Sequence, residues 1–125
     1  MSLKIGQSPD LKIRGVISDK KFKKGDLIES CYLILIPRMQ EQYINQTVLE
    51  QYYFEWTDKY IAIVLGLGSL YNHSDNPSCV IRLDYKKKLI NFYALKNINP
   101  GDELTHDYEY SDNEKHLLNF NRNLD

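Results

Sequence analysis

The sequence is poor in cysteine, carries no excess of either charge and has no long apolar run. Cys31 and Cys79 are its two cysteines, too few for a disulfide framework or a four-thiolate zinc site. They read as buried free thiols in a reducing, intracellular compartment. With 16 Lys and Arg against 17 Asp and Glu the net charge is -1. A phosphate-backbone binder carries a clear basic excess, so direct nucleic-acid binding is not expected. No stretch reaches the roughly 18 apolar residues that a membrane-crossing helix needs, and the opening MSLKIGQSPD lacks the apolar core of a signal peptide. The strand–glycine loop–helix unit of a dinucleotide fold is missing. So are HExxH and CxxC, and His73, His106, His116, Cys31 and Cys79 follow no metal-ligand spacing. No metal is expected.

What remains is a chain of 125 residues with 42% hydrophobic residues, enough for one domain with a modest core. Short β-type runs alternate with turn signals. Leu11–Ile17 alternates and meets a polar break. Lys23-Lys24-Gly25-Asp26 is a turn with glycine available for positive φ. Leu27–Glu29 and Cys31–Ile36 read as β, stopped by Pro37. Residues 39–56 read as loop plus a short helix, and Ile61–Leu65 as a buried strand. Ile81, Leu83 and Tyr85 share one face of a hairpin whose tip is Lys86-Lys87-Lys88 and whose return strand carries Ile90, Phe92 and Ala94. The lysine tip reads as a solvated turn. Asn99-Pro100-Gly101-Asp102 is a second glycine turn, Glu103–Thr105 a short strand, and Glu114–Phe120 a short helix. The pattern predicts a mainly β domain of small sheets.

Two segments go further. Gly68-Ser69-Leu70-Tyr71-Asn72-His73-Ser74-Asp75-Asn76-Pro77 contains an Asn-His-Ser core. Pro100-Gly101-Asp102-Glu103-Leu104-Thr105-His106-Asp107-Tyr108-Glu109-Tyr110 follows it, with the hairpin between. Together these resemble the two motifs of SET-domain protein lysine methyltransferases. The resemblance covers about Leu11 to Tyr110 and extends in layout to the minimal SET proteins of large DNA viruses, bacteria and fungi. It implies a β-clip fold with a C-terminal pseudoknot and few short helices. A single SET domain over 1–125 is expected, with no pre-SET and no zinc-binding post-SET segment. Tyr110, His116, Leu117 and Phe120, or a second subunit, would stand in for the latter.

The resemblance also implies the chemistry. The cofactor would be S-adenosyl-L-methionine, and the substrate a lysine of a protein such as a histone tail. Tyr108 is the candidate catalytic residue, beside both the transferring methyl and the lysine nitrogen. Asn72 and His73 would bind cofactor, Asn72 through an amide that both accepts and donates, His73 through its backbone. Arg14 and Gly15 sit where the family has a Gly-x-Gly turn against the cofactor, and Ile13 replaces the first glycine. Tyr110 and Tyr52, or Tyr53 one residue along, would line an aromatic channel suited to a cationic side chain. Ile81 stands where relatives often place a Phe or Tyr that tunes the degree of methylation, and an aliphatic residue there would not block higher states. His106 stands where apolar or aromatic residues are common, and reads as a plain surface or packing histidine, with a local tuning role as the alternative. Ser78 replaces an asparagine and reads as a change in loop packing. A homodimer is expected by resemblance to the viral relatives. The location implied is cytoplasmic, nuclear in a eukaryote, or secreted for a pathogen effector. Two alternatives stay open at this level, both lacking methyl transfer: a SET-like module that binds a peptide, and one that serves in assembly.

Overall fold

A computed structural model describes residues 2–9 and 11–108. Among the described residues nine strands form two sheets. In the first, β1 (Leu3–Gln7), β2 (Arg14–Ser18), β9 (Glu103–His106) and β6 (Asn72–His73) lie in the order β1-β2-β9-β6. In the second, β4 (Tyr53–Glu55), β5 (Tyr60–Val64), β3 (Leu27–Pro37), β8 (Leu89–Ala94) and β7 (Cys79–Asp84) lie in the order β4-β5-β3-β8-β7. All pairings are antiparallel except β6 with β9, which run parallel. The mainly β reading therefore holds.

The local elements follow their residues. β3 is one long strand rich in leucine and isoleucine, with a register shift between Leu27 and Glu29. The hairpin of β7 and β8 pairs Ile81 with Phe92 and Leu83 with Ile90. Each glycine turn is closed by its aspartate. Asp26 Oδ2 accepts the Lys23 N–H at 2.8 Å, and Asp102 Oδ2 accepts the Asn99 N–H at 2.8 Å. Both turns need a left-handed residue, and Gly25 and Gly101 supply it at φ 96 and 92. Residues 39–56 hold one α-helical turn, α1 (Glu41–Ile44), flanked by the 3-10 turns Arg38–Gln40 and Val48–Gln51, before β4 begins. Strand β1 is absent from the sequence reading, and the Leu11–Ile17 run starts as a strand only at Arg14. Before it, the Ser8 N–H bonds to Ile13 O and the Lys12 N–H to Ser8 O. The helix expected over 114–120 lies outside the described residues.

The core is continuous across both sheets. Val16, Phe22, Cys31, Ala62, Val64, Tyr71, Cys79, Ile81, Ile90, Phe92, Ala94, Ile98 and Leu104 are buried in it. Both thiols are free and buried, as the sequence implied. Tyr71 stacks on Phe92 with ring centroids 4.1 Å apart, and its hydroxyl donates to Glu29 Oε1 at 2.9 Å. That bond satisfies a polar tip that would otherwise be costly to bury. Of the surface and packing readings of His106, the structure bears out packing. It is 2% exposed, stacked on Phe54 at 5.3 Å and edge-on to Phe92 at 5.7 Å.

Two predictions follow from this core. Phe92→Ala removes the plate on which Tyr71 rests, and should cost about 3–5 kcal/mol, read as a shift in denaturant midpoint. The second concerns His106. Burial pushes its pKa down to about 4 from an ordinary 6.5, so the folded state holds it neutral. Between those values the unfolded chain binds the extra proton, and stability falls as pH drops through the window. Unfolding free energy should decline by up to about 3 kcal/mol from this residue between pH 7 and pH 4. His106→Phe should flatten that decline, most visibly between pH 7 and 5, above the carboxylate range. An equal slope in both proteins would contradict it.

Candidate functional site

The cleft of the molecule opens where the first sheet meets residues 50–54. Its volume is about 770 Å³, and its walls include Ile13, Arg14, Tyr52, Asn72, His73 and Tyr108. This is within the usual size of a small-molecule or cofactor site, roughly 300–1,000 Å³. The β6–β9 ladder creates it. Asn72 pairs with Thr105 and His73 with His106, so the Asn-His-Ser core and the second motif lie side by side.

Tyr108 is held at both ends. Its backbone N–H donates to His73 Nδ1 at 2.9 Å, and its hydroxyl donates to the Tyr71 carbonyl at 2.5 Å. Its phenol is half exposed to the cleft. Desolvation raises its pKa above the ordinary tyrosine value, so it stays a neutral donor at physiological pH. His73 contributes its side chain as well as its backbone. Nε2 lies 2.8 Å from Asp75 Oδ1, and Nδ1 accepts from Tyr108. The two partners assign the proton to Nε2.

Asn72 is 8% exposed. Its Nδ2 donates to Arg14 O at 2.8 Å and to Glu103 Oε2 at 2.8 Å. Arg14 lies along the wall, with Nη1 on Leu70 O at 3.2 Å, Nη2 on the Tyr52 hydroxyl at 3.3 Å and its guanidinium 5.9 Å from the Tyr52 ring centroid. Gly15 lies on the inner side of β2. A Cβ there would overlap Glu103 Oε2 and come within 3.0 Å of Asn72 Nδ2. Ile13 is half exposed and lines the cleft at its rim.

Tyr52 and Tyr53 differ in what holds their hydroxyls. Both line the cleft, but the Tyr53 hydroxyl is committed to Glu41 Oε2 at 2.8 Å and Asn45 Oδ1 at 2.9 Å. Tyr52 keeps its hydroxyl at the cleft beside Arg14. Ile81 does not join the cleft. It is 2% exposed, and its place on β7 opposite Phe92 turns it into the core. Buried side chains that do line the cleft include Phe54, Tyr71 and His106, the His106 ring centroid lying 5.0 Å from that of Tyr108. Tyr110, His116, Leu117 and Phe120 lie outside the described residues.

Two contributors escape sequence reasoning. Ser78 is more than loop packing: its hydroxyl accepts from Thr105 N at 3.0 Å and donates to Glu103 O at 3.0 Å, acting as a strand partner for β9. Glu103 looks like a solvent-facing strand residue, yet it bonds to Ser8 and Asn72.

The SET domain profile matches residues 13–109. A Schizosaccharomyces pombe histone-lysine N-methyltransferase specific for H3 lysine-37 is 30% identical over 98 residues, covering 78% of this chain and 67% of the relative. The crystal structure of a proposed histone methyltransferase of Plasmodium falciparum superposes with TM-score 0.64 at 31% identity, covering 86% of this chain and 92% of that one. A chain of apo ctPRC2 shares the fold at TM-score 0.74 and 19% identity, covering 86% of this chain and 15% of its own length. With the two motifs paired strand to strand at the cleft and the family's profile covering most of the sequence, this chain belongs to the SET domain family.

Proposed function

We infer that this chain is a protein-lysine N-methyltransferase that uses S-adenosyl-L-methionine and acts on a lysine of a protein such as a histone tail. The observation that carries the reading is the double anchoring of Tyr108 beside Asn72 in one cleft. When bound, the cofactor supplies an electrophilic methyl group on a sulfonium. The residues present fit it. Asn72 spends both amide hydrogens on Arg14 and Glu103 and so offers Oδ1 to an ammonium, while Arg14 and Gly15 run along the same wall.

The chain's own work is alignment and desolvation. Tyr108 is fixed in position by His73 and by the Tyr71 carbonyl, so its hydroxyl oxygen keeps lone pairs for an N–H or a polarised C–H. Aromatic walls at Tyr52, Phe54 and Tyr108 suit a lysine side chain arriving as a cation, with Tyr110 proposed to extend them. A free lysine has a pKa of about 10.4, and a low-dielectric wall disfavours its charged form. That helps the proton leave to solvent before transfer. The histone relatives support a histone substrate, and a nuclear or other intracellular location goes with it.

Incubation with radiolabelled S-adenosylmethionine and a panel of histones should place label on lysine. Tyr108→Phe should cut the rate by roughly 100-fold, the scale of a lost alignment, with little change in melting temperature. His73→Ala releases the Tyr108 backbone and should lower the rate roughly tenfold while cofactor affinity changes less. No label on any lysine substrate, despite measurable cofactor binding, would count against the activity.

A further inference from the structure

Asn72 meets two neighbours that can only accept. A carbonyl and a carboxylate each lie 2.8 Å from Nδ2. Were the amide rotated by half a turn, Oδ1 would face both, and two hydrogen bonds would become two repulsive contacts. One orientation therefore wins, and in it Oδ1 is the atom left for the cleft.

Glu103 is itself clamped. Its Oε1 accepts from Ser8 Oγ at 2.5 Å. Ser8 is fully buried, and its Oγ also accepts the Leu11 N–H at 3.1 Å. The backbone of Glu103 lies on β9, opposite Ile17, with its carbonyl accepting from Ser78 Oγ at 3.0 Å. The carboxylate has neither a loose end nor a loose base. The missing side chain at Gly15 belongs to the same arrangement, since a methyl group there would overlap Oε2. The glycine keeps open the space in which the Glu103–Asn72 bond forms.

We propose that Glu103 is a positioning residue that fixes the Asn72 amide so that Oδ1 receives the ammonium group at the amino-acid end of the cofactor. The inference rests on the methyltransferase reading above. Donation from Nδ2 to an anionic oxygen also polarises the amide and strengthens Oδ1 as an acceptor. Without the carboxylate, one Asn72 N–H loses its partner and rotation would aim a donor at a cation.

The test is binding, read without turnover. S-adenosylhomocysteine keeps the amino-acid end, whereas 5′-methylthioadenosine lacks it. Affinities of both are measured by calorimetry, or by competition for the weaker ligand, for wild type, Glu103→Ala, Glu103→Gln and Glu103→Asp. Glu103→Ala should weaken S-adenosylhomocysteine roughly tenfold, the value of one charge-assisted hydrogen bond, and leave methylthioadenosine within about twofold. Glu103→Gln retains an acceptor oxygen at the same reach and should recover most of the loss. Glu103→Asp keeps the charge but withdraws it, and carries the same comparison if the alanine variant does not fold. Equal weakening of both ligands would reduce Glu103 to a fold-holding residue and overturn the proposal, as would no weakening of either. Wild type that binds neither ligand would remove the cofactor reading and the inference with it. Wild type that binds both but transfers no methyl would remove only the activity, and the affinity ratios would still decide the role of Glu103.

Discussion

The parallel ladder between β6 and β9 joins two segments that are far apart in the chain, and the cleft exists because of it. Parallel neighbours cannot be joined by a tight turn, so the intervening chain must leave and return. It does so as the β7–β8 hairpin and the turn at Gly101. The short ladder is reinforced by side chains: Ser78 bonds to both Glu103 and Thr105, and Asn72 reaches Glu103 31 positions away. Ser74 N–H adds a bond to His106 O at 3.1 Å. Two residue pairs of backbone are thus held by a larger polar network, and that network is also the wall of the site.

Charge is handled sparingly within it. Glu103 receives two donors, one from buried Ser8 and one from Asn72, which offsets the cost of drawing a carboxylate toward the interior. Glu29 does the same for the other side of the core, accepting from Tyr71 and from Leu67 N–H. Tyr71 links the two regions, since its ring packs on Phe92 and its carbonyl holds Tyr108. The phenol proposed to align the reaction is therefore tied, through one residue, to the centre of the hydrophobic core.

The readable parts of the sequence were those with local causes. The Gly-Asp turns, the long β3 run ended by Pro37 and the β7–β8 hairpin all announce themselves within a few residues, and each appears in the structure. Strand β1 did not, because Leu3 and Ile5 make too short an alternation to stand out and the pairing that fixes them is with β2. The motif residues Asn72, His73 and Tyr108 were found by resemblance, and the structure brings them into one cleft. The family resemblance puts Ile81 in the lysine channel, but its place on β7 opposite Phe92 turns it inward. The roles of Ser78 and Glu103 had no local signal, since each depends on a partner from a distant strand. Spacing alone does not separate Tyr52 from Tyr53; in the structure they differ in that Glu41 and Asn45 take the Tyr53 hydroxyl.

The position of β9 between β2 and β6 has a kinetic consequence. The strand belongs to the last part of the described chain, yet it pairs with one of the first strands and with one from the middle. Such pairing demands long loop closures before any contact rewards them, and domains of this kind fold on the order of milliseconds to seconds rather than microseconds. During synthesis β2 and β6 leave the ribosome before β9, the strand through which they are joined in the sheet. Asn72 therefore meets Glu103, and His73 meets Tyr108, only after β9 and the residues behind it have been made.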